Sequence, residues 1–392
     1  MKIKCQPDDF YVEEIVNLSF NRAGPYSIYK LEKKFWDTFD LLDYLSRKYK
    51  LKDIGRAGIK DRYSHSIQYV SIKNCAQQEI IEKNFRLSLI GKSNQPITLN
   101  SLVGNSFRIT IRDLNQKETG YIRQNLDVVK TYGVANYYDE QRMGSGRAKQ
   151  GFIAQKLILQ HYNGALKLYL ATPSKFDDSK TRRLKKYLLE NWGNWEKCLE
   201  SPYDLGQFQY PLQYLKKHPK DFKGAIKTIR RDLLEMFINA YQAYLWNETL
   251  KKIIQHRKIE YFSVRYRFGE LYFYDTLSSV DFDYLKNLVI PAPSYKSKFS
   301  HMEIKLAMEE VLSEESKTIK RNITLNDLKI HLDIKGLFFK PYERNAIVIP
   351  KDLTVSELMG DELYPKKYKM TLSFFLPKGS YATILIKRIT SI

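Results

Sequence analysis

Hydrophobic patterning changes period twice along this chain, and those two changes limit what it can fold into. Residues 1–35 read as extended segments, with Tyr11-Val12 and Ile28-Tyr29-Lys30-Leu31 in short mixed patterns. Thr38 opens a predicted helix in which Phe39, Leu42, Leu45 and Tyr49 recur at three- and four-residue spacing. Strands are expected at 67–72 and 107–112. The second alternates strictly, with Phe107, Ile109 and Ile111 on one face and Arg108, Thr110 and Arg112 on the other. One face then packs inward, and the other offers two cations to solvent or to a ligand. A short apolar-aromatic strand is expected at 134–138. From Phe152 the period turns helical, through 152–171, 178–190 and 223–255. After Pro291-Ala292-Pro293, mixed short elements lead back to strands expected at 345–350, 369–376 and 381–388. The order β-rich, helix-rich, β-rich predicts an α+β chain, one domain interrupted by a more helical insertion.

Charge narrows the choice of partner. Lys and Arg number 65 against 44 Asp and Glu, a formal charge of +21. Tyr (29) and Phe (20) are abundant, a combination that suits a polyanion with stackable bases and puts nucleic acid first. The plainer alternative is a basic surface without such a role. The run Lys180, Arg182, Arg183, Lys185, Lys186 lies on a predicted helix and reads equally as a solvated face or an RNA contact. No run approaches the ~18 apolar residues of a membrane span, and the first residues lack the apolar core of a signal peptide, so a cytoplasmic protein is expected. Cys5, Cys75 and Cys198 are too few for a disulfide scaffold and argue against a Cys-based zinc site. The histidines show no ligand spacing, and neither the dinucleotide nor the P-loop glycine signature occurs. No metal and no nucleotide cofactor are expected.

Two segments could carry chemistry. Gly58-Ile59-Lys60-Asp61-Arg62 sets one carboxylate between two cations in a predicted loop. Nearby positive charge favours the ionised carboxylate, which can act as nucleophile or base. The same pattern also fits a loop Asp in a surface ion pair. Asn136-Tyr137-Tyr138-Asp139-Glu140-Gln141-Arg142 offers an amide, two rings and a guanidinium. Such groups can hold a base edge and stack on a base, or simply pack into a core.

These segments, taken with three others, resemble one family. DDFYVEEI (8–15), AGIKDRYSHSIQ (57–68), NYYDEQRMG (136–144), INAYQAYLWN (238–247) and LPKGSYATILIKRI (376–389) stand in the order of the motifs of the tRNA pseudouridine synthase D (TruD) family. The resemblance spans nearly the whole chain, and the second and last segments are its most specific parts. It implies a pseudouridine-synthase catalytic domain with a split central sheet, 1–150 and 346–392, interrupted by an inserted TRUD domain, 151–345. It implies isomerisation of uridine in tRNA, usually uridine 13 of the D-arm, without cofactor or metal. Asp61 matches the catalytic aspartate. It would attack C1′, attack C6, or remove the C2′ proton, and the sequence does not choose among these. Lys4 matches a basic residue that pairs with that aspartate. Phe10, Asn136 and Tyr381 match positions that contact the target nucleotide.

The departures from the family pattern matter as well. Tyr138 stands where the family usually has Phe, and its hydroxyl could serve in deprotonating C5. Met143 replaces another Phe, and His65-Ser66 replaces a small residue and Thr. The stretch Tyr342-Glu343-Arg344-Asn345 matches too loosely to yield a site. The alternative function is a non-catalytic RNA-binding or RNA-chaperone protein on the same fold, which an isomerisation assay separates. A methyltransferase would need a glycine-rich loop after an early strand, and none is visible.

Overall fold

The computed structural model describes residues 1–147, 150–174 and 177–391. The chain divides into two compact units: Met1–Val134 with Val348–Ile392, and Ala135–Ile347. Segment 135–150, expected with the first domain, clusters with the second unit, where Asn247 brackets the Tyr138 backbone. Its Oδ1 accepts from the Tyr138 amide at 2.8 Å, and its Nδ2 donates to the Tyr138 carbonyl at 2.9 Å. Among the described residues no helix is long and apolar enough to cross a membrane.

The first unit is built on one mixed sheet. The strand order is Lys351–Val355, Tyr368–Pro377, Leu102–Leu114, Phe10–Val16, His65–Lys73, Tyr26–Lys33, Phe85–Ser93 and Glu79–Glu82. The two parts of the first unit join where Tyr368–Pro377 pairs antiparallel with Leu102–Leu114, second and third in this order. Phe10–Val16 runs parallel to His65–Lys73, with Tyr11 opposite His65 and Val12 opposite Ser66. This pairing positions the site. A parallel neighbour starts at the same end of the sheet, so the loop just before His65 lies beside the segment just before Phe10.

Helix Thr38–Tyr49 covers one part of the sheet. The Asp37 carboxylate caps it by accepting from the Phe39 amide, and Leu41, Leu42 and Leu45 are buried among Tyr29, Val70, Ile72 and Leu87. Phe39, expected on that buried face, is half exposed, and Leu41 takes the place. The cations expected to share a solvent face also part company. Arg108 is exposed and lies over the Tyr11 ring, whereas Arg112 is buried against Asp9, Asp361 and Glu362. Burial pulls the Arg112 guanidinium down, yet its bonds to Glu362, Asp9 and Asp361 outweigh that and hold its pKa above the usual arginine value.

The strand expected at 381–388 is a helix, Ala382–Thr390. Its β-branched run suggested a strand, but Ala382, Leu385, Ile386 and Ile389 fall on one helical face and are all buried. Arg388 on this helix donates to Asn125 Oδ1 at 2.9 Å on helix Gln116–Tyr132. The strand expected at 134–138 stops at Ala135. Beyond it the carbonyls of Asn136 and Tyr137 accept from a guanidinium instead of a neighbouring strand.

The second unit is mainly helical. Helix Arg231–His256 runs through it, is buried on most sides, and packs along helix Met302–Ile319. Its polar residues are tied down: Gln242 Nε2 donates to the Pro293 and Lys340 carbonyls, and Trp246 Nε1 donates to the Ile290 carbonyl. The basic helix forms over Ser179–Glu190, but Lys185 turns inward to Asp177 at 2.9 Å, so the basic run is not one exposed face.

Candidate active site

The loop before His65 is fixed from beneath through its backbone. Lys33, fully buried at the end of strand Tyr26–Lys33, donates to the carbonyls of Trp36 (2.8 Å), Lys60 (3.2 Å) and Asp61 (3.1 Å). Burial pushes its pKa down to about 8, against the pull of the Asp37 and Asp61 carboxylates. Thr38 Oγ1 accepts from the Lys60 amide at 2.9 Å and donates to Gln68 Oε1 at 2.8 Å. Gln68 Nε2 donates in turn to the Gly58 carbonyl at 3.0 Å, and Ser64 Oγ to the Asp61 carbonyl at 2.8 Å.

Lys60, one of the two cations expected beside Asp61, points inward. Its Nζ pairs with the buried Glu14 at 2.6 Å, and Glu14 also accepts from the Tyr69 amide at 3.1 Å. A buried charge needs such a partner, since an isolated one would carry the full desolvation penalty. Gly58 lies against this pair. A Cβ there would sit 2.7 Å from Glu14 Oε1, so glycine is what lets the loop close over the buried carboxylate.

What the loop presents is the Asp61 carboxylate, 44% exposed and bonded to Lys4 Nζ at 2.5 Å. Lys4 arrives there because the residues on both sides of it are anchored to Arg112. The Lys2 backbone exchanges two hydrogen bonds of 2.8 Å with the Arg112 backbone, and the Asp9 carboxylate binds the Arg112 guanidinium at 2.8 Å. Between these anchors Lys4 takes φ +58, a left-handed conformation that few non-glycine residues adopt. Its ammonium also lies 4.2 Å from the centre of the Phe10 ring, which is 7% exposed and packs edge-on against Phe107. Phe10 therefore lies beneath the Lys4 ammonium of the Lys4–Asp61 pair.

Asn136 and Tyr138 are gathered elsewhere, in the second unit, by Arg344. Arg344 Nε donates to the Asn136 carbonyl at 2.8 Å and its Nη2 to Asn136 Oδ1 at 2.7 Å. Asn136 Nδ2 donates to the Asn345 carbonyl at 3.1 Å, so both ends of the amide are engaged. The same guanidinium lies 4.1 Å from the Tyr138 ring centre and 5.2 Å from that of Trp246. Tyr138 is buried, with its hydroxyl donating to Tyr342 Oη at 2.9 Å. Arg344 is the residue that sequence reading passed over. The short pairing of Glu343–Asn345 with Val289–Pro291 aligns it opposite Ile290, a non-local contact that no local motif announces.

Tyr381 is the N-cap residue of helix Ala382–Thr390 in the first unit. The turn before it closes through a bond from the Ser380 amide to the Pro377 carbonyl, with Gly379 at φ +87. A turn with positive φ at its third residue favours glycine there, which accounts for that part of the closing motif.

The first unit thus holds a mixed sheet joined from two parts of the chain, with the Asp61 carboxylate paired to Lys4 on a clamped loop, and comparison with known proteins gives the family. The family model described as tRNA pseudouridine synthase D (TruD) matches residues 1–263. A probable tRNA pseudouridine synthase D of Methanocaldococcus jannaschii is 36% identical over 99% of this chain and 91% of its own length. The tRNA pseudouridine synthase D of Aquifex aeolicus is 30% identical over 99% of this chain and 98% of its own. A crystal structure of a protein assigned to the same family, from Methanosarcina mazei, superposes with a TM-score of 0.73 at 25% identity, covering 100% of this chain and 93% of that one. The chain belongs to the tRNA pseudouridine synthase D family, and with it to the isomerases.

Proposed function

We propose that this protein converts uridine to pseudouridine in tRNA, at uridine 13 of the D-arm, with Asp61 as the catalytic carboxylate. The observation that carries the assignment is the contrast within one loop: the Lys60 amide, the Gly58, Lys60 and Asp61 carbonyls and the Lys60 side chain are bound inward, and the Asp61 carboxylate faces outward against Lys4. A fold does not need an exposed carboxylate supported this heavily, whereas a reacting group must be held to a fraction of an ångström.

The reaction breaks the N1–C1′ bond and the C5–H bond of uridine and makes C5–C1′ and N1–H bonds. Atoms and electrons balance within the nucleotide, so the step itself calls for no oxidant, reductant or second substrate. Asp61 in its ionised form, stabilised by the Lys4 ammonium, supplies the negative charge that attack at C1′, attack at C6 or removal of the C2′ proton requires. Phe10 supports Lys4 from below. Tyr381 offers a half-buried ring for the target nucleotide. The family match assigns Asn136 and Tyr138 to the substrate-contacting residues, and Arg344 positions both, because one guanidinium holds the amide and covers the ring. The target nucleotide must leave its stack to reach any of these groups, at about a few kcal/mol. The excess of cations supplies phosphate affinity. We assign the activity to the cytoplasm.

The test is to treat unmodified tRNA transcripts with the protein and map pseudouridine by sequencing. Conversion at position 13 is expected. Conversion at another position alone would overturn the site assignment, and binding without conversion would favour an RNA-binding protein on this fold.

A further inference from the structure

Two rings beside Asp61 are turned to solvent, and neither is accounted for by folding. Tyr63, two residues after Asp61, is 61% exposed, and Phe35 is 47% exposed. Their centroids lie 6.2 Å apart with planes at 85°, an edge-to-face pair. Phe35 also adopts φ +59. A bulky residue in the left-handed region is an outlier, because its Cβ crowds the backbone, and such strain gathers where a side chain must be aimed. Here the strain aims an apolar ring outward.

The same clamp that holds Asp61 holds this pair. The Lys33 ammonium binds the carbonyls of Trp36, next to Phe35, and of Asp61, two residues before Tyr63. Both rings therefore share one rigid support with the carboxylate. Each is flanked in sequence by a cation, Lys34 and Arg62, and these cations are themselves exposed and paired to Asp8 and Asp40. Isolated rings set among charged side chains suit a ligand with flat apolar faces and a charged backbone, and a chain with a formal charge of +21 favours a polyanion over an apolar protein surface.

We propose that Phe35 and Tyr63 form a stacking platform for an unpaired RNA base next to the target nucleotide. The proposal rests on the reading of Asp61 as the catalytic carboxylate. Extruding a nucleotide removes the stacking partner of its neighbour, and a ring at the rim of the site replaces it. The platform reads a π-face and not a hydrogen-bonding edge, so it tolerates any base.

The experiment measures the Kd of an in vitro transcribed tRNA for the wild type, Phe35→Gly, Tyr63→Ala and Tyr63→Phe across a salt series. Glycine adopts φ +59 freely, and Tyr63 is mostly exposed, so two independent variants keep the test open if one fails to fold. Phe35→Gly and Tyr63→Ala should each weaken binding roughly tenfold, within the range for one stacked base. Tyr63→Phe should stay within about twofold of wild type. The slope of log K against log salt should not change, because rings release no counterions. Unchanged Kd in both Phe35→Gly and Tyr63→Ala overturns the platform, as does a loss accompanied by a shallower slope. Wild-type conversion of uridine is followed in parallel. If the wild type converts and the variants bind normally, the platform fails and the proposed function stands. If the wild type binds without converting while the variants bind weakly, the proposed function fails, and the rings are an RNA contact without a target nucleotide beside it, which overturns the platform as proposed.

Discussion

At the scale of single residues, a carboxylate can be chemically important while contributing little to the fold, and the role proposed for Asp61 calls for that profile. Its backbone carbonyl is bound by Lys33 and Ser64, but its side chain is bonded to Lys4 in a partly exposed pair. Asp61→Asn should therefore change unfolding free energy by no more than about 0.5 kcal/mol, as for ordinary surface changes, which urea denaturation checks. Tyr138 differs, since it is buried beneath Arg344. Its hydroxyl donates to Tyr342 Oη at 2.9 Å, and the family resemblance implies Phe at this position. Tyr138→Phe should keep single-turnover isomerisation within about tenfold, a barrier change near 1.4 kcal/mol. A loss of ~100-fold or more would make the hydroxyl a proton-transfer group.

At the scale of elements, the clamp under the Asp61 loop is the feature with the largest expected energy. Lys33→Met removes the donor shared by the Trp36, Lys60 and Asp61 carbonyls and should lower unfolding free energy by about 2–4 kcal/mol, measured in urea. The same lysine predicts a pH dependence of definite sign. Its folded pKa is about 8, below the ordinary value of 10.5, so between those pH values the unfolded chain holds a proton that the folded chain has released. Stability from this group rises with pH through that window, and its desolvation penalty is fully present below pH 8. The stability advantage of wild type over Lys33→Met should therefore widen as pH rises from 8 to 10, and unfolding curves of both proteins across that range check it.

Elements also show how far the sequence could be read. The helix at Thr38 and the strands around Ile67 and Phe107 were visible, because each has one buried face and a regular period. Ala382–Thr390 was misread because Thr383, Ile384 and Ile386 favour strands locally, whereas burial against helix Gln116–Tyr132 decides the outcome. Lys60 and Arg112 were read as available cations because a one-dimensional pattern cannot show carboxylates arriving from distant segments. Glu14 reaches Lys60, and Asp361 reaches Arg112, through the sheet. Arg344 was passed over for the same reason, since its partners Asn136 and Tyr138 lie about two hundred residues away.

At the scale of the whole molecule, the change from strands to helices and back marked a chain whose first unit is assembled from both ends, and the structure has that connectivity. The formal charge of +21 belongs to this scale too. If roughly five or more phosphates are neutralised, the logarithm of the tRNA association constant should fall linearly and steeply with log salt. A flat response between low and physiological salt would mean that the charge has another purpose. The central claim, that Asp61 performs isomerisation, is tested most directly with tRNA tritiated at uridine C5, because the C5 proton must leave as the new C–C bond forms. Wild-type protein should release tritium under single-turnover conditions, and Asp61→Asn should bind the same tRNA with a Kd within about threefold and release none. Tritium release by Asp61→Asn at a measurable rate, with pseudouridine in the product, would contradict the account.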